Sequence, residues 1–305
     1  MPATSFIGAR LLNAILIATP PLFWAGNFIV GRAIREQLPP LTMSCLRWVI
    51  AFAVILPFAW RPMVRDVAFY RAHPWRLGAL SLAGVVAFNS LVYAGLRSTS
   101  AANALLLNST IPALIIILNV IVYKSLLRGR QFVGLTLSLC GVAAIILRGD
   151  PSALVTLSFA AGDLIVFTAM VAWALYTLWL RPVPAHIDRV GLLGVQIMIA
   201  LPILALMALG ELAAGAQPVW SLESFAALAY IGIFPSVVAY LAYNLNVARI
   251  GATLTGLSIH LMPVFGVSLA VALLGEPFRA YHAIGIALIL VGLFWASLTR
   301  RAAAR

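Results

Sequence analysis

Residues 239–276 read AYLAYNLNVARIGATLTGLSIHLMPVFGVSLAVALLGE, a run that does not fit a water-soluble fold. It holds two apolar segments, each near the ~20 residues an α-helix needs to cross a hydrocarbon core of ~30 Å. Arg249, Ile250 and Gly251 form a short corner between them, with the glycine where a helix is expected to end. The reading is a hairpin of two membrane helices. Within it stand Tyr240, Tyr243, Asn244, Asn246, Thr253, Thr255, Ser258 and His260. Hydrocarbon cannot hydrogen-bond these groups, so they are expected to face other helices or an aqueous cavity. Residues 89–125 repeat the design, with Asn89, Tyr93, Asn103, Asn108, Ser109, Thr110 and Pro112 in comparable places.

Composition extends this reading to the whole chain. It is 63% hydrophobic and 9% charged, with a mean hydropathy of +1.06, far outside the soluble globular range. The 305 residues accommodate about ten spans with short loops and leave no room for a separate soluble domain. Spans are expected near 11–31, 41–60, 77–96, 101–123, 131–147, 159–180, 189–209, 222–247, 251–274 and 281–299. The first is too long for the apolar core of a signal peptide.

The net charge of +12 needs no nucleic-acid partner, because basic residues gather in cytoplasmic loops beside anionic lipid. Allotting the loops to alternate sides puts fourteen of the twenty Lys and Arg residues with the N-terminus and five opposite, Arg47 lying inside a span. Both termini are therefore expected in the cytoplasm, with a bacterial inner membrane as the location. Lys124 is the only lysine and follows ILNVIVY, so it is not the lysine of a phosphate-binding GxxxxGK loop. Cys45 and Cys140 have no metal-ligand spacing and read as buried small hydrophobes. No cofactor or metal is implied, and a monomer is compatible with the pattern.

The chain also repeats itself. Trp24-Ala25 answers Trp173-Ala174, Leu91 and Tyr93 answer Leu241 and Tyr243, and Pro112, Gly134 and Gly141 answer Pro263, Gly285 and Gly292. The offset stays near 150 residues throughout, dividing the chain into 1–150 and 151–305. A unit of five spans is odd, so the second copy crosses the membrane in the opposite sense. Such inverted repeats let transporters place a site near the midplane and expose it to each side in turn. The expected fold is an all-α integral membrane protein of ten transmembrane helices, arranged as two inverted five-helix repeats around a central cavity.

Four stretches carry a resemblance to a known family: PPLFWAGNFIVGRAI at 20–34, PPLTMSCLRWVIAFAVILP at 39–57, GDLIVFTAMVAWALYTLWLRP at 162–182 and LLGEPFRAYHAIGIALILVGLFW at 273–295. They resemble the drug/metabolite transporter superfamily, specifically its EamA-type ten-helix members, and look most like the YddG-type exporters of aromatic amino acids. The resemblance implies export of small amphipathic metabolites, aromatic or large neutral amino acids first, with drugs as a further class. It implies no enzyme activity. One departure stands out: Lys124-Ser125-Leu126-Leu127-Arg128 replaces an acidic loop, so the end of the first hairpin is expected to be held differently. The first span also carries no acidic residue, unlike that of the related four-helix multidrug transporters.

The candidate substrate-binding residues are Trp24, Asn27, Phe28, Asn89, Tyr93, Asn108, Trp173, Tyr176, Tyr240, Tyr243, Asn244 and His260. Tyrosine and tryptophan rings stack on aromatic solutes while their polar edges orient them. The structural alternatives are interfacial anchoring for the tryptophans, interhelical hydrogen bonding for the tyrosines and asparagines, and neutral packing for His260 beside Pro263. Asp163 reads as a helix N-terminal carboxylate. Arg47 is expected to snorkel outward or to pair with an acid. Gly134, Gly141, Gly285 and Gly292 read as a small-residue face for helix packing. The pocket is thus expected to be aromatic and neutral. A membrane enzyme acting on lipid-like substrates, a multidrug exporter of the same fold and a non-transporting scaffold or receptor are the competing readings.

Overall fold

The structure is a computed structural model that describes residues 3–99, 101–125, 128–150, 152, 161–274 and 277–298. The side chains of Arg10, Arg32 and Asn103, and residues Leu126, Leu127, Glu276, Arg300, Arg301 and Arg305, lie outside the described residues. Among the described residues, ten helical spans are long and apolar enough to cross a bilayer: Leu12–Gly31, Pro40–Arg65, Pro74–Gly95, Ala104–Tyr123, Gly129–Ile146, Ala161–Leu180, Arg189–Ala213, Leu222–Ile250, Ala252–Ala272 and Ala280–Ser297. They are referred to below as the first to tenth spans. No strand occurs among the described residues.

Local chemistry sets where the spans begin and end. Pro40 opens the second span, where its missing N–H is not needed. Asp188 caps the seventh by accepting from the amides of Val190 and Gly191 at 2.8 and 3.3 Å. Ser221 caps the eighth by accepting from Ser224 N at 3.0 Å. Gly251, at φ +86°, turns the chain between the eighth and ninth spans, a conformation that glycine adopts without strain. The fourth span ends at Lys124, whose φ is +50°. Its last turn is held by Arg181, which donates to Asn119 Oδ1 at 2.9 Å and lies 4.4 Å from the Tyr123 ring centre. An arginine just beyond the sixth span thus holds this end.

Packing follows a two-fold rule. The fifth span packs on the tenth and the second on the seventh, each pair made of repeat equivalents. The third packs on the sixth as the eighth does on the first, and the fourth packs on the sixth as the ninth does on the first. Glycines show the sense of the symmetry. A Cβ on Gly141 would meet the Gly285 carbonyl oxygen at 2.6 Å, and one on Gly285 would meet that of Gly141 at 2.7 Å. Gly134 and Gly292 are related in the same reciprocal way, at 2.5 and 2.6 Å. The start of one helix therefore meets the end of the other, so the fifth and tenth spans run antiparallel, as inversion requires.

The second and seventh spans also run antiparallel. Glu211, near the end of the seventh, accepts from the amides of Leu41 and Thr42 at 3.2 and 2.7 Å and so completes the N-terminus of the second. Large apolar side chains such as Phe58, Leu164 and Leu206 point outward, as a lipid-facing surface demands. Cys140 lies on this exposed surface, against the expectation of burial, whereas Cys45 is buried. The buried face of its helix is taken by Gly134, Ser138 and Gly141, leaving position 140 outside that face.

Four irregular segments interrupt the spans in matching places. The fourth breaks between Ala101–Asn108 and Ile111–Tyr123, and the ninth between Ala252–Ser258 and Leu261–Leu274. Pro112 and Pro263, which stand just after the breaks, cannot donate to the preceding turn. The third and eighth spans contain π-helical segments at Ser81–Ala87 and Phe234–Val238. Their widened turns free carbonyl groups for other partners. All four irregularities point at the middle of the bundle.

Candidate functional site

Trp24, Asn27 and Phe28 share one face of the first span at the i, i+3, i+4 spacing of a helix. Trp24 Nε1 donates to the carbonyl of Pro235 in the second π-helical segment at 3.1 Å. The ring meets Trp173 of the sixth span edge to face, with centres 4.9 Å apart and planes at 86°. Tyr240 sets its ring against Trp173 at 5.2 Å and 88°, and against Trp48 at 5.0 Å and 90°. Tyr243 lies 5.3 Å from Trp24 and 5.1 Å from Trp173, and Phe88 lies 4.6 Å from Trp173. Perpendicular arrangements place the positive edge of one ring on the negative face of the next. Five spans thus contribute to one aromatic cluster.

The cluster walls a cavity of about 20 Å³, room for about one water. Six of the twelve sequence candidates line it: Trp24, Asn27, Phe28, Asn89, Asn108 and Trp173. Five further lining residues were not foreseen: Arg47, Phe88, Ile111, Ile259 and Met262. Ile111, Ile259 and Met262 flank the two helix breaks, which is the signal that would have found them. A solute larger than water enters only if these walls move apart.

The remaining candidates stand behind the walls or beside them. Tyr240 donates to the carbonyl of Gly84 in the first π-helical segment at 2.7 Å and accepts from Asn89 Nδ2 at 3.1 Å. Thr177 spends its hydroxyl proton on the Trp173 carbonyl, so the Tyr243 hydroxyl, 2.8 Å away, donates to Thr177. Tyr176 donates to Asn244 Oδ1 at 2.8 Å. His260 is buried between the breaks, with Nε2 3.0 Å from the Ser109 carbonyl and Nδ1 2.7 Å from Ser138 Oγ. A carbonyl only accepts, so Nε2 carries a proton, while the Ser138 hydroxyl beside Nδ1 also lies 3.0 Å from the Leu135 carbonyl. Both nitrogens are thereby engaged, and the ring ties the ninth span to the fourth and fifth. Asn246 donates to the carbonyl of Leu16 at 2.7 Å and joins the eighth span to the first. Asp163, in the first turn of its helix, accepts from Thr99.

Arg47 overturns the expectation of a neutral pocket. It does not snorkel, and among the described residues it pairs with no acid: it is 1% exposed and held by Ser236, Asn27, Asn89 and Tyr93. The signal was present in the second span. Ser44, Arg47, Trp48, Ala51, Ile55 and Ala59 are all buried and fall on one helical stripe, so position 47 faces inward with its small and apolar neighbours.

Comparison with known proteins accords with this architecture. The EamA-like transporter family matches the chain twice, over residues 11–147 and 160–298, each match spanning five helices. An uncharacterized transporter of Bacillus subtilis, YyaM, is 32% identical over 288 residues, covering 90% of each chain. A protein of Escherichia coli named as a probable amino-acid metabolite efflux pump is 23% identical over 293 residues, covering 92% of this chain and 93% of its own. A crystal structure 23% identical in sequence superposes with a TM-score of 0.77, covering 96% of this chain and 99% of that one, which shows the shared fold. This multi-pass membrane protein is a transporter of small molecules and belongs to the EamA-like transporter family.

Proposed function

We propose that the chain is a secondary transporter that exports small amphipathic metabolites, aromatic or large neutral amino acids first, by alternating access to the cavity between Trp24 and Trp173. The observation that carries the reading is the meeting of repeat-equivalent residues at that cavity. Trp24 belongs to one half and Trp173 to the other, so rocking the halves about their two-fold axis would part the rings first on one side and then on the other. The broken fourth and ninth spans and the two π-helical segments supply places where such a motion can be absorbed.

Substrate class follows from the lining. Aromatic walls favour a flat or bulky apolar side chain, while Asn27 and Asn108 offer amide groups to an ammonium or carboxylate. The probable amino-acid metabolite efflux pumps among the relatives support this class. The residues at 1–150 and 151–305 would then form the two moving halves, with both termini in the cytoplasm. Purified protein in liposomes, offered a panel of labelled amino acids, tests the proposal. Uptake of phenylalanine, tyrosine or leucine above protein-free liposomes is expected, and the absence of flux for every amino acid would refute it.

A further inference from the structure

Arg47 is a guanidinium buried in the middle of the bundle. Its ordinary compensation would be a carboxylate, as Arg65 has in Asp66 and Asp188, because an unpaired charge at membrane depth is costly. No carboxylate lies within ion-pairing distance of Arg47 among the described residues. Its hydrogen-bond partners are all neutral acceptors, and the guanidinium lies 5.5 Å from the Trp48 ring centre and 5.9 Å from that of Tyr93. Nε donates to Ser236 Oγ at 2.8 Å, and Nη1 reaches Tyr93 Oη at 2.6 Å, Asn89 Oδ1 at 3.0 Å and Asn27 Oδ1 at 3.4 Å. Nη1 has two protons for these three acceptors and is saturated. Nη2 makes no hydrogen bond among the described residues, and Arg47 lines the cavity beside Trp24 and Trp173.

The acceptors are themselves fixed. Tyr93 donates to Asn27 Oδ1 at 3.2 Å, Asn89 donates to Tyr240, and Ser236 donates to the carbonyl of Ile231 at 2.7 Å. Ser236 lies in the π-helical segment of the second half, whereas the other partners lie in the first, so the guanidinium is clamped across the two halves. The clamp orients the charge without neutralising it.

We infer that Arg47 is the substrate's anion-binding residue, its Nη2 held ready for a carboxylate, and that the transporter requires an acid group on whatever it carries. The inference deepens the reading of the central cavity as the transport site and rests on it. A carboxylate oxygen on Nη2 makes a charge-assisted hydrogen bond in a low-dielectric cavity, where such bonds are stronger than neutral ones. Amines without an acid group meet a like charge there and are disfavoured. The apolar walls then sort among acids by side chain.

The experiment uses the full chain purified in detergent and reads thermal stability as each probe is titrated in. The probes are acetate, 3-methylbutanoate, 3-phenylpropionate and phenylalanine, each paired with its isosteric amide. The acids carrying an apolar group are expected to bind about tenfold more tightly than their amides, and Arg47→Gln to abolish the preference. Equal binding of acid and amide, no stabilisation by any acid, or an acid preference that survives Arg47→Gln would each overturn the inference. If the glutamine variant does not fold, Arg47→Lys takes its place. It keeps the charge but loses the fork, so an acid preference with weaker binding is expected and an unchanged affinity overturns the inference. Failure of the broader reading has a different signature: acids bind through Arg47, yet no amino acid crosses the liposome membrane.

Discussion

Trp24 and Trp173 stand 149 residues apart in the chain and at equivalent places in its two halves, yet their rings touch edge to face at 4.9 Å. The contact closes the central cavity to about the size of one water. Any solute that occupies the site must take over the surface these rings now give each other. Removing one ring by Trp24→Ala or Trp173→Ala is expected to cost ~1 kcal/mol, or about a fivefold loss of apparent affinity, for aromatic solutes. Threonine should be affected less than phenylalanine in liposome uptake, and an equal loss for both would mark the rings as structural. Tyr243, named from the sequence for the same role, sits behind Trp173 with its hydroxyl on Thr177. Its removal should lower stability before selectivity.

The interface of the fifth and tenth spans depends on side chains that are not there. A Cβ on Gly134 would stand 2.5 Å from the Gly292 carbonyl oxygen, and one on Gly285 would stand 2.5 Å from Ile145 Cγ1. Gly134→Leu and Gly285→Leu are each expected to destabilise by ~1–3 kcal/mol through overpacking. The measurement is the melting temperature in detergent beside liposome selectivity: melting should fall while the order of substrates holds. Unchanged melting in both variants would contradict the packing described.

Acid sensitivity should trace to Asp66, between the second and third spans. Arg65 donates to its two oxygens at 2.8 and 3.1 Å, and the Asp188 amide donates at 3.0 Å. The Arg65 hydrogen bond chiefly, with the Asp188 amide, holds this carboxyl below its ordinary value of 3.8, against the opposing effect of burial. A group whose pKa is depressed by folding stabilises the fold above its unfolded value, and that contribution is lost as pH falls through the folded value. Asp66→Asn should therefore melt lower than the wild type at neutral pH, with a gap that stays constant down to about pH 4 and closes below it. A gap independent of pH into the acid range would show that the charge plays no part.

Topology is open to a direct check. The bias of basic residues predicts that both termini are cytoplasmic, so a reporter active only there should work at the C-terminus and fail when inserted after Glu223. Activity at Glu223 would invert the assignment.

How much of this was legible in the chain depends on the range of the interaction. The ten spans and the corner at Gly251 follow from hydropathy and backbone chemistry, which are local. The repeat was visible because Trp24, Gly134 and Gly141 return at a steady offset as Trp173, Gly285 and Gly292, and the reciprocal glycine contacts are its three-dimensional form. The environment of Arg47 was not legible. Its partners come from the first, third and eighth spans, and only the folded bundle shows that none of them is an acid. The π-helical segments were missed for a related reason: their freed carbonyls at Gly84 and Pro235 are matched by Tyr240 and Trp24, more than 150 residues away in each case. The same long-range placement separates Trp173, on the cavity wall, from Tyr243 behind it.

Counterflow tests the central claim most directly. Liposomes containing the protein are loaded with unlabelled phenylalanine, and labelled phenylalanine is added outside at a trace level. A site that faces one side at a time carries label inward on each return, so internal label should rise transiently above its equilibrium level, and Trp24→Ala/Trp173→Ala should flatten that overshoot. Uptake that climbs to equilibrium without an overshoot, at the same rate in loaded and empty liposomes, would contradict an alternating-access site between the two tryptophans.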